Sequence, residues 1–176
     1  MIEKCPKLLV TTSKGKENQA IEEILNILFE YDNSVQGLKT EYDGVILVYT
    51  SLNPKEAVKI IRNKPTSVIF KVIPLETCVE TSLENIVSAG LKLAVKYISK
   101  GDSFIVDCVR RGRYVPSSVS VEKALGKEIV QKLGGIVSFK KPKYIVKVEI
   151  IGKISGISVL KEGEIIRRRG RGGTVK

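Results

Sequence analysis

The amino-acid sequence predicts an α+β protein with two domains. Apolar residues recur at helical spacing in three segments, a capping pattern marks a fourth helix, and runs rich in valine and isoleucine lie between the helices. The charge also changes sharply near residue 100. A chain of 176 residues can form one domain or two small ones.

The first 75 residues predict the order strand, helix, strand, strand, helix, strand. Apolar residues at positions 21, 24, 25 and 28 form one stripe of the first helix. Asn53 marks the start of the second helix, because Pro54 and Glu56 follow it at the spacing of a capped first turn. The predicted strands are 7–12, 34–40, 45–50 and 66–74, and the first helix is 17–30. This order is typical of a ferredoxin-like unit, a four-stranded antiparallel sheet with two helices on one face.

After a connector over 75–80, the chain predicts a second α/β layer with its own core. A capping-box pattern, Thr81-Ser82-Leu83-Glu84, begins a helix that continues to about Ser99. The elements that follow are a strand (103–109), a basic loop (110–116), a helix (118–133), a short strand (136–139) and a hairpin (143–151 and 154–160). The predicted domains are therefore 1–75 and 76–161, followed by a mobile, basic, Arg/Gly-rich tail over 162–176.

Several kinds of active site are disfavoured by the composition. The sequence contains no histidine, which removes the commonest general base and zinc ligand, although carboxylates or lysine could still catalyse. It contains no GxxxxGK[ST] phosphate loop, and no GxGxxG follows a strand. Asp107 lies in an apolar strand, where we find no second carboxylate to form an acid–base pair with it. We therefore expect no catalytic residue, no metal and no cofactor.

The cysteines and the hydropathy indicate the compartment. Cys5, Cys78 and Cys108 are far apart and odd in number, so we expect three partly buried thiols and no disulfide framework. No run of about 18 apolar residues is present, and the first residues do not resemble a signal peptide. These features predict an intracellular, cytoplasmic protein.

The net charge of +11 is concentrated in the second half of the chain. Residues 1–100 hold 13 Lys and Arg against 12 Asp and Glu, whereas residues 101–176 hold 17 against 7. Such asymmetry predicts an anionic polymer or surface as the partner of the second half. A generally basic, solvated surface is the alternative.

The sharpest candidate site is the loop Arg110-Arg111-Gly112-Arg113-Tyr114, between a strand and a helix. Guanidinium groups suit phosphate because their planar fork gives two parallel hydrogen bonds. The glycine permits close approach of the backbone, and the tyrosine could stack on an unpaired base. Ser117 and Ser118 stand near the start of the next helix, where exposed N–H groups favour an anion. The alternative is an exposed basic turn with a serine that only caps the helix.

Two further basic clusters could extend this site into one positive groove. The lysines are Lys140, Lys141 and Lys143 at the start of the hairpin and Lys123 and Lys127 on the polar side of the preceding helix. The tail contributes Arg167, Arg168, Arg169 and Arg171, interspersed with glycine like a short arginine-glycine RNA-binding segment. Solvated lysines and a charge-repelled, disordered tail are the alternatives.

The segment from about Ser82 to Leu160 resembles a THUMP domain. The shared pattern is the "CVRRGRYVPSS" loop, a helix that ends in "LGG", and "IVSFKKPKYIVKVEII". The arginines and serines of the loop, together with Pro142 and Glu149, stand at the matching places, while Lys143 replaces an aspartate that the family often carries after this proline. With the preceding ferredoxin-like unit, the resemblance covers about residues 7–160.

The resemblance implies that the two units together bind tRNA, largely at its acceptor end. It also implies an adaptor and not an enzyme, similar to the stand-alone THUMP protein that assists tRNA cytidine acetyltransferase. The partners would then be a tRNA and a separate modification enzyme, with no membrane involved. An accessory role in tRNA thiolation or methylation, a self-sufficient RNA-modifying enzyme and a scaffold for an acidic protein remain open.

Overall fold

The computed structural model of the protein describes residues 4–168. It mixes helices and strands and confirms the α+β class. The described chain divides into two compact units, one of residues 6–75 and 163–168 and the other of residues 4–5 and 76–162.

The N-terminal unit has the predicted order of strands and helices. Its elements are β1 (Leu8–Thr12), α1 (Glu17–Leu28), β2 (Gln36–Lys39), β3 (Val45–Tyr49), α2 (Pro54–Arg62) and β4 (Ile69–Pro74). The four strands pair antiparallel in the order β4-β1-β3-β2, which is the ferredoxin-like arrangement. Asn53 caps α2 as predicted, because its side-chain oxygen accepts hydrogen bonds from the amides of Lys55 and Glu56.

One face of this sheet is apolar. Alternate residues of a strand point to the same side, and the alternate residues on this side are apolar. The buried residues from the sheet and both helices that form this core include Leu8, Val10, Ile46, Val48, Ala20, Ile24, Leu28, Ala57 and Ile61. The helical stripe predicted in α1 contributes Ile24 and Leu28 to the buried core, whereas Ile21 and Leu25 pack at its margin.

The C-terminal segment differs from the predicted mobile tail. A short 3₁₀ turn (Glu162–Glu164) is followed by strand β10 (Ile166–Arg167). Strand β10 pairs antiparallel with β4 and extends the N-terminal sheet. The neighbouring Ile165 and Ile166 are both buried, so apolar burial holds this segment in place. The tail prediction therefore fails for residues 163–168, which a count of basic and glycine residues misjudged. Arg169 and Arg171 lie outside the described residues.

The second unit forms a five-stranded mixed sheet with two helices. Its elements are β5 (Thr77–Glu80), α3 (Leu83–Ala94), β6 (Ser103–Arg111), α4 (Ser118–Leu133), β7 (Ile136–Val137), β8 (Tyr144–Ile151) and β9 (Ile154–Leu160). The strand order is β5-β9-β8-β6-β7, and β6 runs parallel to both of its neighbours. The predicted connector contains strand β5, which pairs with β9. Helix α3 ends at Ala94, earlier than the predicted Ser99.

The two faces of this sheet differ in chemistry. Helices α3 and α4 cover one face, where Phe104, Val106 and Cys108 of β6 meet apolar residues of β8 and β9. The intervening residues of β6 and β8 point to the other face. Four of those residues carry charge: Asp107, Arg111, Lys147 and Glu149. The sheet therefore presents an apolar core on one side and a charged row on the other.

Two local expectations were wrong. Cys5 and Cys78 form a disulfide with their Cα atoms 5.7 Å apart, so these cysteines are not free thiols. The sequence separation of 73 residues hid this proximity, which arises because Cys5 belongs to the second unit. The capping-box pattern predicted Thr81 as the cap of helix α3, but Ser82 caps it. The Ser82 hydroxyl accepts a hydrogen bond from the amide of Asn85, whereas the hydroxyl of Thr81 lies 2.7 Å from that of Ser155.

Candidate nucleic-acid interface

The basic loop between β6 and α4 is held in a defined shape by its own side chains. Gly112 adopts φ +91°, a left-handed conformation that favours glycine at the turn. Val115 is buried in the core of the unit and anchors the middle of the loop. The Nη1 atom of Arg110 donates hydrogen bonds to the carbonyl oxygens of Val115 and Pro116, each at 3.0 Å. Arg110 thus braces the loop while its side chain stays exposed.

The loop leads directly into the start of helix α4. The hydroxyl of Ser117 accepts from the amide of Ser120 at 3.0 Å, and the Ser120 hydroxyl in turn accepts from the amide of Ser117. This reciprocal cap leaves the amides of Ser118 and Val119 without an acceptor among residues 4–168. Two N–H groups and the positive end of the helix dipole therefore face outward beside the loop, an arrangement that suits an anion.

Exposed cationic and aromatic side chains surround this helix start. Arg113 and Tyr114 are exposed at the tip of the loop, and the described chain offers Arg113 no carboxylate within 4 Å. Lys123 and Lys127 are exposed four residues apart on α4, so they lie on one face of the helix, which begins next to the loop. We call the loop tip, the start of α4 and this exposed helix face the loop–α4 surface: Arg110, Arg113, Tyr114, Ser117, Ser118, Lys123 and Lys127.

Arg111 has a different environment from its neighbours. Its Nη1 atom lies 2.9 Å from Oε1 of Glu149, and Glu149 is 1% exposed. Lys147, which is 5% exposed, lies 2.8 Å from Glu149 and 3.0 Å from Asp107. Asp107 therefore forms an ion pair with Lys147, because the parallel register of β6 and β8 places the two residues opposite each other. The alternating charges form a row, Asp107–Lys147–Glu149–Arg111, that stabilises Arg111 within the protein.

Two buried titratable groups of this unit, Lys147 and Cys108, have raised pKa values. Burial disfavours the charge of Lys147, but the adjacent carboxylates of Glu149 and Asp107 outweigh it and raise the pKa of the ammonium group. Burial, reinforced by the negative charge of Glu122, raises the pKa of the Cys108 thiol to about 12. The lysine thus stays protonated and the cysteine stays a neutral thiol near neutral pH, so neither is an activated nucleophile.

The predicted single groove does not form. Residues 136–137 and Lys143 adjoin Ser103 at the start of β6, whereas the arginine loop follows its end. The eight residue steps of β6 between these ends span about 25 Å. Lys140, Lys141 and Lys143 therefore lie at the opposite end of the strand from the arginines, and Lys143 pairs with Asp102 at 3.2 Å. The error arose because sequence proximity to α4 does not show at which end of a parallel strand a loop lies.

The described C-terminal arginines, Arg167 and Arg168, belong to the other unit. Arg167 lies in β10, and Arg168 is 8% exposed. The guanidinium of Arg168 donates to the carbonyl oxygens of Ile61, Arg62 and Lys64 and to the hydroxyl of Thr66. These carbonyls belong to the last turn of α2 and the residues that follow it, so Arg168 acts as a helix C-cap and its guanidinium is not exposed to a nucleic acid. The assignment of Arg168 to RNA binding is therefore corrected.

Two other kinds of feature are absent from residues 4–168. That region contains no group of three or more Cys, Asp or Glu side chains placed to hold a metal ion. None of its helices combines the length and the apolar character needed to cross a bilayer.

Comparison with known proteins identifies the second unit. Residues 80–160 match the THUMP domain. The chain is 27% identical over 155 residues to the uncharacterised protein MJ0421 of Methanocaldococcus jannaschii, a match that covers 87% of this chain and 40% of that protein. A second uncharacterised protein of the same organism, MJ1257, is 32% identical over 130 residues, covering 72% of this chain and 36% of its own length. The chain thus spans well under half the length of these relatives.

Solved structures share the fold. PH1313 from Pyrococcus horikoshii superposes with a TM-score of 0.65 at 21% identity and covers 89% of this chain and 54% of its own. A 4-thiouridine synthetase, solved in complex with RNA and bound ATP, superposes with a TM-score of 0.59 at 15% identity, covering 89% of this chain and 41% of its own. At these identities the likeness establishes the common fold.

Proposed function

Because the chain contains a THUMP domain over residues 80–160, we propose that it binds tRNA through the loop–α4 surface. The observation that carries the proposal is the geometry of the loop. Arg110 and Val115 hold the loop in shape, and Arg113 and Tyr114 are exposed at its tip, a few residues before the first amides of α4. A phosphate bound here would meet a guanidinium and helix N–H groups, and a base could stack on the tyrosine.

Electrostatics support contact with a polyanion. Arg113, Lys123 and Lys127 form no ion pair within the described chain, so their charges are available to phosphates. Each phosphate contact releases counterions, so the affinity would depend steeply on salt concentration. The contacts are to backbone and not to base edges, and binding would therefore tolerate many tRNA sequences.

We propose further that the protein acts as an adaptor that presents tRNA to a separate modification enzyme, with a cytidine acetyltransferase as the first candidate. The environments of Cys108 and Lys147 support a role without catalysis, because neither side chain is activated. An accessory role in thiolation or methylation is the second candidate. The support for this second candidate is the fold that the chain shares with the 4-thiouridine synthetase and with TrmN from Thermus thermophilus, which superposes with a TM-score of 0.59.

The binding proposal is tested by filter binding of an unmodified tRNA transcript over a series of salt concentrations. We expect the variants Arg113→Ala and Lys123→Ala/Lys127→Ala to bind more weakly, and the slope of log affinity against log salt to fall by roughly one unit for each phosphate contact removed. Lys14→Ala is the matched control, since Lys14 is a highly exposed lysine of the other unit. Wild-type affinity and slope in both variants would exclude the loop–α4 surface.

The adaptor role is tested separately from binding. The protein is incubated with tRNA and acetyl-CoA or S-adenosylmethionine, and the nucleosides are analysed by mass spectrometry. We expect no modified nucleoside from this protein alone and acceleration of the partner enzyme when both are present. Turnover without a second protein would show that the chain is itself an enzyme. If the scaffold alternative held, the complex with the partner would survive nuclease treatment.

A further inference from the structure

A second surface lies at the end of the domain remote from the arginine loop. Strand β7 is the last strand of its sheet and pairs only with β6, through Ile136 opposite Ser103 and Val137 opposite Phe104. No strand of residues 4–168 pairs with the outer edge of β7. An unpaired edge offers backbone N–H and C=O groups to an added strand.

This edge is apolar on both of its sides. Ile136 and Val137 are consecutive strand residues, so their side chains point to opposite faces, yet both are exposed. Phe139 follows and is 86% exposed, the most exposed large apolar side chain among the described residues. Single exposed apolar residues are common on soluble proteins, but three within four positions at a free edge are typical of an interaction site.

Positive charge without a counter-charge surrounds the patch. Lys140 and Lys141 follow Phe139 directly, and both are exposed. Lys100 lies beside the entry to β7, because the amide of Gly101 donates to the carbonyl of Gly134 at 2.9 Å. Within the described chain none of these three lysines forms a salt bridge, and the nearby carboxylate of Asp102 is paired with Lys143. The complementary partner therefore carries negative charge beside apolar side chains.

We propose that Ile136, Val137 and Phe139, with Lys100, Lys140 and Lys141 around them, bind an extended protein segment that combines apolar and acidic residues. A protein segment fits better than RNA, because aliphatic side chains give a base no aromatic surface to stack on and a strand edge can pair with another backbone. Since β7 is only two residues long, the edge can form few backbone hydrogen bonds, and Phe139 supplies most of the contact. The proposal does not depend on tRNA binding, since the arginine loop lies about 25 Å away along β6.

The test is a selection from a phage-displayed library of short random peptides on the immobilised full chain. We expect enriched peptides that combine Val, Ile or Phe with Asp or Glu. Their affinity, measured by fluorescence anisotropy, should fall about tenfold or more in Phe139→Asp and in Lys140→Glu/Lys141→Glu. Phe29→Asp is the matched control, because Phe29 is an exposed phenylalanine (59%) of the other unit. Circular dichroism confirms that each variant remains folded.

Three outcomes would overturn the inference. The first is enrichment on the Phe139→Asp variant equal to that on the wild type, or no enrichment at all. The second is a set of peptides without acidic residues. The third is displacement of the peptides by polyuridylate whose own affinity falls in Phe139→Asp, which would assign the surface to RNA.

Discussion

The guanidinium of Arg111 lies 2.9 Å from the carboxylate of Glu149, whereas Arg113, two residues later, has no such partner among residues 4–168. Two arginines separated by a single residue therefore have different roles. We expect Arg111→Ala to lower the free energy of unfolding by about 1–3 kcal/mol, because a buried carboxylate loses a charged hydrogen bond. Arg113→Ala should leave that free energy within about 0.5 kcal/mol and weaken tRNA binding instead. Urea unfolding and filter binding on both variants separate the two effects, and equal effects of both substitutions would contradict this division.

The ammonium group of Lys147 compensates the buried negative charge of Glu149. Lys147→Met should lower the free energy of unfolding by about 3–5 kcal/mol, because it leaves a buried carboxylate with one partner fewer. The double variant Lys147→Met/Glu149→Leu should be more stable than Lys147→Met alone, which a double-mutant cycle measures. The raised pKa of Lys147 means that its contribution is complete below its unfolded-state pKa of about 10.4 and is lost as the pH rises through the higher folded-state value. A double variant less stable than Lys147→Met would exclude the ion-pair explanation.

Arg168 closes the end of helix α2 with four hydrogen bonds. Arg168→Met should therefore lower the free energy of unfolding by about 1.5–3 kcal/mol, the contribution typical of hydrogen bonds from a charged group. It should leave the affinity for tRNA unchanged. Thermal denaturation with Lys59→Ala, an exposed lysine of the same helix, as the control measures the first effect. An unchanged melting temperature in Arg168→Met would show that these hydrogen bonds do not contribute to stability.

Gly44 occupies a position that only glycine fits. Its φ is +72°, and a Cβ atom there would overlap the carbonyl oxygen of Thr12. Gly44→Ala should cost at least about 1–3 kcal/mol of unfolding free energy, because backbone strain and the steric overlap add. Gly15→Ala is the matched control: its φ is +89°, but a Cβ atom would meet nothing within 4 Å. If both variants melt at the same temperature, the overlap with the carbonyl oxygen of Thr12 does not lower the free energy of unfolding.

Asp32 ties together the loop after α1 and the end of β3. Its carboxylate accepts hydrogen bonds from the hydroxyls of Ser34 and Thr50 and from the amide of Ser51, and these donors hold its pKa well below the usual range. The lowered pKa predicts a stabilising contribution that is complete above the unfolded-state value of about 3.9 and is lost as the pH falls towards the folded one. Asp32→Asn should reduce the melting temperature at neutral pH and flatten its decline in acid. A parallel acid dependence in both proteins would contradict this assignment.

The sequence determined most of the secondary structure and its order through local physics, although strands β5 and β10 lie in a predicted connector and a predicted tail. Helical spacing predicted α1 and α4, and asparagine capping predicted the start of α2. Each of these signals depends on neighbours within a few residues, so the sequence shows it directly. The basic loop before α4 was recognised for the same reason, since its arginines, glycine and tyrosine are consecutive.

The tertiary structure alone decided which of these charges remain available. Arg111 and Asp107 form ion pairs because strands β6 and β8, 40 residues apart in sequence, lie side by side in register. Arg168 is buried because Ile165 and Ile166, which precede it, are buried and β10 joins the sheet of the N-terminal unit. The lysines at 140–143 were separated from the arginines because β7 joins the sheet at the start of β6. Such relationships arise from long-range packing, which a linear pattern of charge does not encode.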